Sequence, residues 1–343
     1  MNIILIFLSS VVALIAINYF LKNKNWILNS RGDKHQIFFS SRQVPLIGGV
    51  FLIIFSLTYL NTEDFKVLIP FFLIFLIGLL SDIKIINSPI KRLFAQIIII
   101  YLGIGIIDTL IEYTGVNVID KLLLNQYFKI TFTVFCILIV INGCNFIDGV
   151  NISLIGYVLV VFIILKLLYI NDVIFLSNLV NIDNLITVLT VILIFNILNK
   201  LYLGDNGAYL LGMIMSIYLI DVFFLNRNFS PFFIVNLLWY PSFEILFSIF
   251  RKIRFSRSPV KPDTNHLHQL IYLKLRAVNN FQNFSNIFLN STTGFLIIIY
   301  NFFILLFLSN NLNDSQIQIS TLIFNIFLYI FIYLKLINLK LKK

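Results

Sequence analysis

The sequence predicts an all-α protein that crosses a membrane about eleven times, with its N-terminus outside and its C-terminus in the cytoplasm. Three observations carry that reading. Of 343 residues, 59% are hydrophobic and only 12% charged, about half the charged share of a soluble domain. The apolar runs are helix-length and lack the strict alternation of outer-membrane barrel strands. The basic residues gather in alternate connecting segments, the pattern that orients membrane proteins.

In order, the apolar runs cover residues 2–21, 44–60, 67–80, 93–110, 130–146, 152–170, 185–201, 207–225, 231–250, 292–309 and 321–337. Each approaches the ~20 residues a crossing needs. The first has no basic flank and no small-residue cleavage site, so it reads as a retained span. Starting outside puts segments 22–43, 81–92, 147–151, 202–206 and 251–291 and the terminal "NLKLKK" inside; with Lys200 and Lys335 at their borders, this side holds 20 of the 25 Lys and Arg residues. The net charge of +10 therefore speaks of topology and not of nucleic acid. No internal repeat and no Pro- or Ser-rich linker divides the chain, so 1–343 reads as a single transmembrane domain. Cys136 and Cys144 are too few and too close in sequence for a disulfide framework and read as packing residues.

Four polar segments interrupt this pattern, all on the inner side: "SDIKIINSPIKRLFAQ" (81–96), "INGCNFIDGVNIS" (141–153), "NKLYLGDNG" (199–207) and "SPVKPDTNHLHQL" (258–270). Polar groups at a membrane edge are costly and mark function. Asp82, Asp148, Asp205 and Asp263 each lie within a few residues of an apolar run. Such hard oxygen donors suit Mg²⁺ or Mn²⁺, which bind one or two carboxylates together with substrate phosphates. Asn142 or Asn145 can orient those ligands or meet phosphate directly, and Asn145 and Asp148 share a face if the helix continues. Helix capping is the competing role for any single Asp or Asn; it explains four on one side less well. Gly204 and Gly207 flank Asp205 where a helix begins, a place that favours anions.

His266 and His268 stand two apart in a basic loop. That spacing does not make a metal pair, and phosphate contact or proton handling suits them better. Arg251, Lys252, Arg254, Arg257 and Lys261 are explained by topology and by attraction to anionic lipid; attraction of a phosphorylated substrate explains them equally. Glu244 interrupts the ninth run and calls for a base or hydroxyl from a neighbouring helix, or for a place near the site. Gly103 and Gly105 follow no strand, so "GIG" reads as helix packing and not as a nucleotide loop.

Taken in order, these segments resemble the polyprenyl-phosphate N-acetylhexosamine-1-phosphate transferases. The family's aspartate pair followed by Ser-Pro, Arg-Leu and Gln is similar to Asp82, Ser88, Pro89, Arg92, Leu93 and Gln96. Its "NxxNxxDG" resembles Asn142, Asn145, Asp148 and Gly149; its "GDSG" resembles "GDNG" at 204–207; its "DxxHxHH" resembles Asp263, His266 and His268. "VPLIGG" (44–49) and Glu244 also look like family features. Three positions depart: Ser81 replaces the first aspartate, Asn151 an acid after "DG", and Gln269 a histidine.

The resemblance implies transfer of an N-acetylhexosamine-1-phosphate from a UDP-sugar to undecaprenyl phosphate, releasing UMP and starting a surface glycan of the O-antigen or teichoic acid type. The setting it implies is the cytoplasmic face of a bacterial inner membrane, among membrane lipids, with a second copy of the chain as an admissible partner. It implies Mg²⁺ or Mn²⁺ on Asp205 and Asp148. Asp82 would contact the metal or the lipid phosphate or assist its deprotonation, and His266, His268 and Asp263 would serve the sugar nucleotide. Asn142, Asn145, Arg92 and Lys200 would make further substrate contacts. The rival within the superfamily is the phospho-N-acetylmuramoyl-pentapeptide transferase, which resembles a pattern with a full Asp pair and an unbroken histidine run. A catalytically silent member fits Ser81. A transporter predicts mid-bilayer acids and paired halves, which the sequence lacks.

Overall fold

The computed structural model describes residues 3–24, 44–60, 65–256, 258, 263–278 and 284–341. Most of the inner segment 22–43, together with Arg257 and Lys261, lies outside them. The described residues fold into helices alone, apart from isolated bridges at Leu46–Tyr202 and Leu60–Val180. In chain order the helices are α1 (Ile3–Lys24), α2 (Gly48–Ile54), α3 (Ser56–Tyr59), α4 (Leu68–Asp82), α5 (Pro89–Ile107), α6 (Asn117–Leu123), α7 (Gln126–Ile147) and α8 (Ser153–Ile170). There follow α9 (Ile182–Ile197), α10 (Gly204–Leu225), α11 (Pro231–Leu237), α12 (Trp239–Arg254), α13 (Leu267–Ala277), α14 (Asn286–Ser309) and α15 (Ser315–Leu341).

Six of these, α5, α7, α8, α10, α14 and α15, are individually long and apolar enough to cross a membrane; α11 and α12, bent by 71°, make a seventh if taken as one span. Three shorter apolar helices lie at Ile3–Ile17, Leu68–Asp82 and Ile182–Ile197. The expected second run, 44–60, is instead broken into α2 and α3. The hydroxyls of Ser56 and Thr58 bond back to the carbonyls of Ile53 and Phe55 at 2.7 Å, a competition with the backbone ladder that bends helices. Asn184 Nδ2 then donates to the Thr58 carbonyl at 2.5 Å and Asn181 N–H to that of Tyr59 at 2.6 Å, tying the break to the start of α9.

Helices α8 and α10 form the centre: 72% of the apolar stretch of each is buried inside the protein, against 17% for α15. A membrane provides no hydrophobic drive between helices, so close packing rests on small residues. A Cβ on Gly78 of α4 would lie 2.4 Å from Asn206 Cα, one on Gly212 of α10 2.7 Å from Ile141 Cα, and one on Gly143 of α7 2.3 Å from the Pro241 carbonyl. These contacts draw α4, α10, α7 and α12 together side by side. Where the α11–α12 break exposes backbone, Tyr157 hydroxyl donates to the Leu237 carbonyl at 2.9 Å, and Trp239 Nε1 donates to Asn301 at 2.8 Å. Non-helical backbone at such depth is tolerated only when enclosed by protein in this way.

Candidate active site

The ends of α4, α7 and α10 meet at one corner of the bundle. Segment 44–49 pairs with the strand-like turn before α10: Tyr202 N–H donates to the Pro45 carbonyl and Gly48 N–H to the Tyr202 carbonyl, both at 3.0 Å. A Cβ on Gly49 would fall 2.4 Å from Gly207 N, which explains the glycines of "VPLIGG". Gly204 turns the chain into α10 at φ +74°, a conformation glycine adopts without steric cost.

Asp82, the last residue of α4, caps α10 from outside its own chain segment. Its Oδ1 accepts Asp205 N–H at 3.0 Å, and its Oδ2 accepts Asn206 N–H at 3.0 Å as well as the Asn206 side-chain amide. A carboxylate is well placed here, because the first N–H groups of a helix have no intrahelical acceptor and carry partial positive charge. The cap aims Asp205 at α5 and α7. Asp205 Oδ1 accepts Asn145 Nδ2 at 2.6 Å, while Oδ2 accepts Ser81 Oγ at 2.5 Å and Arg92 Nη1 at 2.7 Å. Arg92 also donates to Ser81 Oγ at 2.7 Å and to the Tyr209 hydroxyl at 3.4 Å. Ser81, the departure from the aspartate pair, thus stands inside the cluster as a bridge between Arg92 and Asp205.

Asp148 is the C-cap of α7, and its carboxyl is pushed well above the usual carboxylate range, first by burial and then by the charges of Asp205 and Asp82. The turn behind it is fixed by an asparagine network. Asn196 Oδ1 accepts Ile152 N–H at 2.6 Å, and Asn151 and Asn290 exchange hydrogen bonds at 3.1 Å. This support holds Ile152 at φ +63°, a strained place for a β-branched residue. Asn151, the second departure, is therefore part of the turn's frame.

The histidine loop meets the same corner through α7. The His268 ring covers Gly149, where a Cβ would fall 2.1 Å from Nε2. His266 stacks on His268 with centroids 5.6 Å apart and takes the edge of Phe146 at 5.1 Å. His266 Nδ1 lies 2.9 Å from Glu244 Oε1, and its Nε2 3.4 Å from Asp263 Oδ1. Asp263 Oδ2 accepts Arg251 Nη1 at 2.6 Å. Burial lifts the Asp263 carboxyl, but the Arg251 hydrogen bond and the charges of His266, Arg251 and Lys252 outweigh it and leave it below the usual range. Gln269, the third departure, accepts His266 N–H at 3.1 Å and completes a capping box on α13.

Asp82, Arg92, Asn145 and Asp205 are thus joined directly, Asp148 by proximity of charge, and His266 and His268 through Phe146 and Gly149. Asn142 stands one turn deeper, donating to Gln96 at 2.8 Å and to the Leu138 carbonyl at 2.9 Å. Lys200 is exposed on the turn before α10, and no hydrogen bond or ion pair from its side chain joins it to the acids. Sequence reasoning missed Tyr209 and Tyr329, gave Asn206 only as part of the "GDNG" turn, and read Arg251 through topology, anionic lipid or substrate charge and not as the partner of Asp263. Tyr329 was detectable as a hydroxyl one turn from Tyr333 in an otherwise apolar run.

Among the described residues no three Asp, Glu, His or Cys side chains close around a ready-made cation site. The donors nevertheless fit Mg²⁺, which completes its shell with waters and substrate phosphates. Among the described residues no hydrogen bond engages the Asp148 carboxylate, and the one guanidinium paired with the three acids, that of Arg92, meets Asp205 alone.

A membrane-embedded helical bundle with an acid-rich, arginine-bridged corner is the architecture of an enzyme that handles phosphates at a bilayer edge. Residues 65–223 match the family model described as Glycosyl transferase family 4, a segment holding Asp82, Asn145, Asp148, Asp205 and Asn206. That match and the relative below support the polyprenyl-phosphate hexosamine-1-phosphate transferase family and a glycosyl-1-phosphate transferase enzyme. The chain is 25% identical over 239 residues to the undecaprenyl-phosphate alpha-N-acetylglucosaminyl 1-phosphate transferase of Thermotoga maritima, covering 68% of this chain and 70% of that protein.

Proposed function

We propose that the protein transfers N-acetylhexosamine-1-phosphate from a UDP-sugar to undecaprenyl phosphate at the cytoplasmic face of a bacterial inner membrane, the first step of a surface glycan. The observation that carries this reading is the corner where Asp82, Asp148 and Asp205 crowd together and, among the described residues, a single ion pair, that of Arg92 with Asp205, offsets them. Such an excess of negative charge calls for a divalent cation and, through it, for phosphate. An oxygen of the lipid phosphate forms a bond to the sugar-linked phosphorus of the donor, and the bond from that phosphorus to the bridging oxygen breaks, releasing UMP. The second ionisation of a phosphate monoester lies near pH 6, so the nucleophile is largely formed at neutral pH without a strong base.

Positioning and charge neutralisation then do most of the catalysis. Asp205 and Asp148, with the Asn145 amide oxygen, would hold Mg²⁺, which when bound neutralises charge between the two phosphates. Asp82 fixes the helix end that presents Asp205. Arg92 is poised to leave Asp205 for a phosphate oxygen, a bidentate partner it matches in shape. His266, His268 and Asp263 line the donor side. The gathering of Lys and Arg on alternate connecting segments supports a cytoplasmic setting for this corner, where a soluble nucleotide sugar meets the lipid headgroup.

The test is UMP release by the purified full-length chain in undecaprenyl-phosphate nanodiscs, offered UDP-N-acetylglucosamine and related UDP-amino sugars, with EDTA and then excess Mg²⁺. Release that stops with chelator and returns with Mg²⁺ is expected. Absence of release with every donor sinks the transferase reading; release indifferent to EDTA removes the metal from it.

A further inference from the structure

The reaction as drawn leaves Glu244 without a task. It lies in α12, only 1% exposed, and a buried carboxylate persists only when both paired and hydrogen-bonded. Its two oxygens meet two donors from different helices. Oε1 faces His266 Nδ1 at 2.9 Å, at the start of α13, and Oε2 accepts the Tyr329 hydroxyl of α15 at 2.7 Å. Helix α15 also reaches the end of α12 and the loop before α13. The Tyr333 ring lies 5.9 Å from the Arg251 guanidinium, and Lys340 Nζ donates to the Thr264 carbonyl at 3.0 Å and to Asn265 Oδ1 at 2.7 Å.

We propose that Glu244, anchored by Tyr329, is a positioning residue that sets the tautomer and orientation of His266 for the transfer reaction. A carboxylate only accepts, so the proton at that contact belongs to Nδ1. Nε2 is then the nitrogen turned out of the span toward the Asp263 loop, the side from which a sugar nucleotide arrives. The role rests on the transferase reading for its purpose, although the hydrogen-bond geometry stands without it.

The test rests on whether an acceptor faces His266. In Glu244→Gln the amide oxygen still accepts His266 Nδ1–H while the amide nitrogen donates to the Tyr329 hydroxyl, whereas Glu244→Leu offers the imidazole no acceptor. The chain has three histidines in all, so ¹⁵N-histidine labelling of the full-length protein in nanodiscs resolves the ring nitrogens. In the wild type a hydrogen-bonded Nδ1–H is expected for His266, identified by its loss in His266→Gln.

Glu244→Leu should lose that signal and lower kcat by about 10- to 100-fold, the range for outer partners that orient a metal-bound histidine, with KM moving less than about threefold. Glu244→Gln should keep the signal and a kcat about fivefold or more above that of Glu244→Leu. A wild type without the Nδ1–H signal overturns the proposal, even if Glu244→Leu fails to fold. So does a Glu244→Gln no better than Glu244→Leu, or a Glu244→Leu that keeps both signal and kcat. UMP release that ignores these changes defeats the positioning role and spares the transferase. A signal that follows them in a wild type releasing no UMP does the reverse.

Discussion

Two charged clusters share one corner of the bundle and are built on opposite principles. Around His266 each acid has its partners: Glu244 faces His266 and Tyr329, and Asp263 faces His266 and Arg251. Around Asp205 acids are in excess, since Asp82 and Asp148 crowd it and, among the described residues, the one ion pair of the three is that of Arg92 with Asp205. A matched cluster holds its shape by itself and suits positioning. An unmatched one stores electrostatic cost that an arriving cation or ligand relieves, a pattern common at functional sites.

The sharpest way to break this contrast is Asp205→Ala. It removes the acceptor of Ser81, Arg92 and Asn145, and UMP release should fall about 10³-fold, roughly 4 kcal/mol in the transition state. A loss below about tenfold would mean that the unmatched cluster is not the reaction centre.

Next comes the matched side. Asp263→Asn leaves Arg251 buried without its carboxylate and should cost about 3 kcal/mol at pH 7. Because the folded carboxyl is held below its ordinary value of 3.8, its contribution is present above that value and fades as pH falls through the lower folded one. Melting curves of wild type and variant should therefore stay apart at pH 5 and converge only in stronger acid. Convergence already at pH 5 would show that the pair is not holding Asp263 ionised.

Arg92→Lys keeps the charge and loses the planar guanidinium whose Nη1 reaches Ser81, Asp205 and Tyr209. A drop of about tenfold in kcat/KM, roughly 1.4 kcal/mol, is expected; an unchanged value would reduce Arg92 to a point charge.

Asp148→Asn should show the smallest effect on folding and the most telling sign. The Asp148 carboxyl is raised by burial and by its acidic neighbours, so its neutral form contributes stability that is full at low pH and lost as pH rises through the folded value. A neutral amide avoids that loss. The metal-free variant should melt about 2–4 °C above wild type at pH 8, about 1 kcal/mol, with no advantage in acid, while UMP release falls. A variant less stable than wild type at pH 8 would contradict the charge imbalance.

Much of this was legible in the chain. The apolar runs mark most of the helices, and Asp82, Arg92, Asn145 and Asp205 stood out because lipid leaves a polar residue few reasons to be there. Glu244 was likewise expected to need a base or hydroxyl from another helix, and His266 and Tyr329 supply both. The break at Phe55 was not legible, since hydroxyls that bend a helix look the same in sequence as hydroxyls that ride along one. Helix α13 was hidden in the loop 251–291, although Leu267, Leu270, Ile271 and Lys274 already carry a helical period behind the His266–Gln269 cap.

By itself, then, the sequence determined a helical membrane protein and the residue types of its chemistry, because hydrophobicity and helix period are local properties of the chain. Only the tertiary structure decided who meets whom. That Asp82 caps a helix 122 residues away and that Ser81 bridges Arg92 to Asp205 depend on glycine-sized contacts such as that of Gly78 with Asn206, and α15 reaches Glu244 only through the packing of whole helices. Such distances are set by how whole surfaces pack, and no local pattern encodes them.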